Sequence, residues 1–166
     1  MTTLLPLTSL RVTLFVKTAR THFEQALALQ ENFTPASLNI AEIDRNAGNI
    51  AAAKERYKQI LAIDKGNLQV MTRLSRIAFS VRDPEEGMKW LNSAIRSKPQ
   101  ALAPRLALVN AYLQQKENQR ALTAAREAVS LDDRNVDALD ALARTQLAAE
   151  KNPSAIATYR QVVKLV

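Results

Sequence analysis

Sliding this 166-residue chain against itself by 34 residues brings its apolar and small positions into coincidence. Four frames result: 34–67, 68–101, 102–135 and 136–166, the last three residues short. The seventh place of each frame is a branched apolar residue, namely Ile40, Leu74, Leu108 and Leu142. The twentieth is small: Ala53, Gly87, Ala121 and Ala155. The twenty-fourth holds Tyr57, Leu91, Ala125 and Tyr159, and the twenty-seventh Ile60, Ala94, Ala128 and Val162. Self-similarity at this period marks an array of supersecondary units that bury their apolar faces on one another.

The units must be helical. Three glycines are too few for many turns between strands, and Ala, Leu, Arg, Lys and Gln are strong helix formers. Pro99 and Pro104 nevertheless stand inside the helix-rich stretch from Ala94 to Gln115. A proline inside a helix costs roughly 3 kcal/mol, so these two mark a boundary. Pro99 is at the thirty-second place, where the second helix of a pair ends. Pro104 falls in the first turn of the next helix, where a missing N–H costs nothing. Thr34-Pro35, Asp83-Pro84 and Asn152-Pro153 each read as an N-cap followed by proline at the first helical position. Only Pro6 stands outside the scheme. Helices are expected over 35–46 and 50–62, 69–80 and 84–97, 103–114 and 118–130, 136–148 and 153–165.

The pattern resembles the tetratricopeptide repeat (TPR), a 34-residue helix–turn–helix unit. Small residues at the eighth place (Ala41, Ser75, Ala143) and the twentieth let paired helices cross closely. Tyr112 fits the eleventh place, whereas Asp44, Ala78 and Gln146 do not. Val109 at the eighth place, and Lys65 and Asp133 where proline is usual, are further departures. Ala19, Phe23 and Ala26 match the second helix of a preceding repeat, so the array covers 17–166, with a half repeat at 17–33. Residues 1–16 form an atypical apolar segment. The resemblance implies an all-α fold, a right-handed superhelical array of antiparallel helix pairs, in which Ala53, Tyr57, Gly87, Pro99, Tyr112, Ala121, Ala128 and Tyr159 are structural.

A narrower likeness runs from "HFEQALALQENFTPASLNIAEID" through "DPEEGMKWLNSAI" and "KPQALAPRLALVNAYL" to "ALARTQLAAEKNPSAIATYRQVV". These stretches are similar to the TPR lipoproteins of bacterial PEP-CTERM/exosortase systems. That likeness implies a role in exopolysaccharide and surface-protein export, and a parent protein exported and tethered to a membrane by a lipidated N-terminal Cys. This sequence has no Cys, and its start lacks a basic region and an A-x-A-like cleavage site. It therefore reads as a fragment of a longer array without the tether, and its compartment is open.

Little in the sequence points to catalysis. One His, His22, and no Cys exclude a Cys/His pair and most metal clusters. His22 reads as a surface helix residue beside Phe23. Glu85-Glu86 falls in a helix's first turn, where negative charge complements the macrodipole, and Asp132-Asp133 in a turn between repeats. No glycine-rich phosphate loop exists, and Trp90 reads as packing. No catalytic residue, metal, cofactor or small-molecule substrate is expected. The formal charge of +7 is spread along the chain: residues 1–83 hold 11 Lys/Arg and 7 Asp/Glu, and 84–166 hold 12 and 9. Without a block of like charge, a nucleic-acid patch is not favoured. No apolar run approaches the roughly 18 residues of a membrane span.

What remains is a surface. In TPR proteins the second, fifth, ninth, twelfth and thirteenth places face a concave groove. The resemblance therefore implies a partner-binding set of Arg45, Arg76, Phe79, Asn110, Leu113 and Arg144, with Leu147 continuing the apolar strip begun by Phe79 and Leu113. Such a mix suits an extended peptide or a partner's helix. The Lys/Asn set with which some chaperone adaptors grip a terminal carboxylate is not reproduced, since Leu38 and Glu42, or Thr72 and Arg76, replace its leading members. A second reading, motivated by a pI near 10, is a basic helical-repeat binder of nucleic acid or anionic polysaccharide. The two ends, "LLPLTSLRVTLFV" and the face of Ile156, Tyr159, Val162, Val163 and Val166, are apolar and unpaired, so a homodimer through them is expected.

Overall fold

The computed structural model describes residues 7–166, with side chains from Arg11 onward. Pro6 and the apolar start of the chain lie outside the described residues. Among those described there are nine α-helices and no strand. They are α1 (Leu7–Leu29), α2 (Thr34–Asn46), α3 (Ile50–Ile63), α4 (Leu68–Ser80), α5 (Pro84–Ser97), α6 (Leu102–Gln114), α7 (Asn118–Leu131), α8 (Val136–Ala148) and α9 (Asn152–Val163). Every helix expected from the 34-residue frames is present, its ends within a residue or two. α1 crosses the boundary between residues 16 and 17 without a break.

The helices gather into two compact units that divide between Val70 and Met71, in the first turn of α4. In the first unit α1 packs on α2 and α2 on α3. The core there holds Ala36, Ile40, Ala41, Ala53, Tyr57 and Ile60, all buried. In the second unit α6 packs on α5, α7 and α8, and α8 on α9. Two apolar clusters hold it: Leu91, Leu108 and Ala111 with Phe79, Met88 and Tyr112 against them, and Val109, Ala124, Ala125 and Ala141 with Leu113 and Leu142. All four residues of the twentieth place are buried. The reason is plainest at Gly87, where an added Cβ would stand 2.7 Å from the ring of Phe79. Pro99, in contrast, is exposed and acts through its backbone alone.

The turns repeat as faithfully as the helices. At the fifteenth place Gly48, Arg82, Lys116 and Glu150 all have positive φ, between 58° and 82°. In each case the next N–H (Asn49, Asp83, Glu117, Lys151) donates to the carbonyl five residues back (Asp44, Ala78, Tyr112, Gln146) at 2.8–2.9 Å. This is the left-handed Schellman stop that closes a helix by satisfying its last carbonyls. Between repeats, Asn67, Ala101 and Asn135 donate their N–H to the carbonyls of Asp64, Lys98 and Asp132 at 3.0–3.2 Å. Proline stiffens only the middle one of these turns. In the other two, Asp64 Oδ1 accepts from Gly66 N and Asp132 Oδ1 from Arg134 N, so a side-chain turn replaces the proline missing at Lys65 and Asp133.

The capping expectation needs correction at two of its three sites. Asp83 caps α5, its Oδ1 accepting from Glu86 N at 2.9 Å. Thr34 and Asn152, however, are the first residues of their helices, and neither α2 nor α9 has a side-chain cap bond. The working caps are instead Asn67 and Asn135, whose Oδ1 atoms accept from Val70 N and Ala138 N at 3.0 Å. Proline at the second position fixes the helical φ of α2 and α9 without help from a cap.

Candidate functional site

In the second unit α4 and α6 flank an open cleft of about 240 Å³. Thr72, Ser75, Arg76 and Phe79 line it from α4, and Ala107, Asn110, Ala111 and Gln114 from α6. The 34-residue repeat makes this wall pairing: Arg76 and Asn110 are both ninth-place residues, so helical stacking sets them facing at equivalent height. Small residues at Ser75, Ala107 and Ala111 keep the cleft open. Phe79 forms its floor on one side, its ring held over Gly87 and against the Leu91, Leu108 and Ala111 cluster.

Three of the six groove residues taken from the sequence, Arg76, Phe79 and Asn110, therefore line one cleft. Leu113 does not; it is half-buried against Val109 and Ala125. Arg144 reaches the same wall from α8: its Nη2 donates to Asn110 Oδ1, and its Nη1 lies 3.5 Å from Asp140 Oδ2. Leu147 is exposed. Arg45 belongs to the first unit and is held inside its own helix. Its Nε and Nη2 donate to Glu42 Oε2 at 3.1 and 2.9 Å, and Nη2 also to Asn46 Oδ1 at 2.7 Å. The other Glu42 oxygen accepts from the hydroxyl of Tyr57, which is how that fully buried ring satisfies its polar tip. Arg76 differs from both arginines, being exposed with no hydrogen bond or ion pair among the described residues.

Sequence reasoning missed two features. One is the link from Asp140 through Arg144 to Asn110, which needs the 34-residue step applied to side chains as well as to helices. The other is a cleft of about 420 Å³ on another face of α6, lined by Asn92, Leu108, Tyr112, Gln119, Arg120, Thr123, Ala124 and Glu127. Its signal was Ala124 standing twelve residues after Tyr112, a small residue where a larger one would fill the gap. At the last helix, Ile156, Tyr159, Val163, Arg160 and Lys164 line an apolar hollow, with Val163 74% exposed. His22 is exposed on α1, with Nδ1 3.3 Å from Gln25 Oε1. Among the described residues no group of three His, Cys, Asp or Glu could hold a metal ion. No helix among them is long and apolar enough to cross a membrane.

Two tetratricopeptide-repeat family models match the chain, one over residues 45–111 and the other over 106–166. The chain is a tetratricopeptide repeat protein. Solved structures agree on the fold of this TPR chain. A MamA structure superposes with a TM-score of 0.73 at 15% identity, covering 93% of this chain and 91% of that one. TTC0263, a thermophilic TPR protein of Thermus thermophilus, gives 0.68 at 22% identity, over 96% and 87%. YrrB, described as a TPR protein with an unusual peptide-binding site, gives 0.65 at 14% identity, over 95% and 81%. No curated protein matches the sequence.

Proposed function

We propose that this TPR chain is a protein-interaction scaffold that holds an extended peptide or a partner's helix in the cleft between α4 and α6. The observation that carries the reading is the convergence there of a guanidinium unpartnered among the described residues, an amide and an aromatic floor: Arg76, Asn110 and Phe79. Apolar anchorage beside a few aimed polar groups is what peptide grooves offer. The peptide-binding description of YrrB supports the class of ligand without naming one. Resemblance to exosortase-system lipoproteins supports a place in surface-protein or exopolysaccharide export. Two copies further associate through the apolar surface made by Ile156 and Val163 of α9 and Val166 just after it, all exposed; sedimentation equilibrium showing only monomer across a hundredfold concentration range would defeat that.

The test of the groove is capture of partner proteins from the source cell by three versions of the chain. Arg76→Glu with Asn110→Ala is expected to lose the partner while the melting temperature barely moves, because exposed substitutions shift stability by about half a kcal/mol or less. Arg96→Glu, exposed on α5 and away from the cleft, is expected to keep it. Equal loss in both would mean that bulk charge does the recognising. Binding of a labelled polyanion that falls steeply with salt, with no protein captured, would favour the polyanion reading instead.

A further inference from the structure

Asn110 has two ends, and the structure assigns them. Its Oδ1 accepts from Arg144 Nη2, and Arg144 is itself steadied by Asp140. A guanidinium has donors and no acceptor, so the oxygen must face Arg144 and the amide NH₂ is the end left for the cleft. Arg76 on the opposing wall adds a guanidinium that no other described residue engages. Among the residues that line the cleft Arg76 is the one cation, and none is Asp or Glu. The walls therefore offer hydrogen-bond donors and positive charge, above the apolar floor of Phe79, Ala107 and Ala111.

A carboxylate answers both demands, since its two oxygens can accept from a guanidinium fork and from an amide together, in charge-assisted bonds stronger than neutral ones. Resting on the peptide-groove reading above, we propose that the cleft selects the side-chain carboxylate of an Asp or Glu flanked by apolar residues in the partner. Asp140 and Arg144 act as positioning residues, holding the Asn110 amide with its donors toward that carboxylate. The side chain, rather than a chain terminus, fits a cleft with a single unpaired cation among its lining residues.

Three fluorescein-labelled peptides on a Gly-Ser frame test this against the full chain: a Leu-Asp-Leu centre with capped ends, its Leu-Asn-Leu counterpart, and Leu-Asn-Leu ending in a free carboxylate. Fluorescence anisotropy gives affinities, and amide NMR shifts over 72–79 and 107–114 give the place of binding. The Asp peptide is expected to bind about tenfold more tightly than the Asn peptide at the cleft. Arg144→Ala is expected to shrink that ratio several-fold with the melting temperature unchanged, and Arg144→Lys to restore part of it. Equal binding of all three at the cleft would overturn carboxylate selection while leaving the groove intact. Preference for the free-terminus peptide alone would overturn the side-chain source. A ratio unmoved by Arg144→Ala would overturn the positioning role. No shift at those residues with any peptide would overturn the groove, and this inference with it.

Discussion

Asp44, Ala78, Tyr112 and Gln146 share the eleventh place and have no chemistry in common, yet each is matched by the residue twelve positions on. Asp44 accepts from Arg20 of α1 and has Arg56 Nε 4.0 Å away. Tyr112 packs with the small Ala124, and buried Gln146 accepts from the hydroxyl of Thr158 at 2.9 Å. By register Ala78 stands opposite Trp90. Charge meets charge and amide meets hydroxyl, so those pairs satisfy sites where a single residue judged alone looks wrong, whereas Tyr112 beside the small Ala124 leaves the cleft of about 420 Å³. Gly87 is the converse case, a place where nothing can be added. Gly87→Ala would gain about 1 kcal/mol of helix propensity but drive a methyl into the Phe79 ring, and overpacking costs about 2 kcal/mol. A net loss near 1 kcal/mol in chemical denaturation is expected, with the ring of Phe79 pushed toward the cleft and peptide binding weakened. Wild-type stability and binding would show that the ring yields freely.

At the scale of the element, the helix spans were readable because period, proline and small-residue placement all pointed the same way. The stops between paired helices were not. Their left-handed residue is glycine only at Gly48; Arg82, Lys116 and Glu150 adopt the same backbone with a Cβ that disfavours it by roughly 1 kcal/mol. Nothing in those side chains announces the turn, because the Schellman bonds are made by backbone alone. Lys116→Gly should raise stability by about half a kcal/mol, the relieved strain being partly offset by glycine's greater freedom when unfolded. A melting temperature lowered by the substitution would contradict the assignment. The misplaced caps have a similar cause. Thr34 and Asn152 are residue types that cap well, but the proline beside each already fixes the helix entry. Asn67 and Asn135, without a proline to draw attention to them, make the bonds.

At the scale of the molecule, the site was visible as a list of places and not as an arrangement. The frames put Arg45, Arg76 and Arg144 in one class, but their surroundings separate them: Arg45 is spent on Glu42 and Asn46, Arg144 on Asn110 and Asp140, and Arg76 on nothing among the described residues. Periodicity names candidate places, but twelfth-place Phe79 lines the cleft and twelfth-place Leu113 packs into a core cluster, so which side chains remain available depends on neighbours brought together by folding. A photoreactive benzoylphenylalanine tests the resulting claim most directly, placed at Gln114 in the α4/α6 cleft or at Glu127 in the cleft on another face of α6, and irradiated in source-cell extract. Covalent partner adducts from position 114, absent from position 127 and abolished by Arg76→Glu, are the predicted result. Adducts from position 127 alone, or equal adducts from both that survive Arg76→Glu, would contradict it.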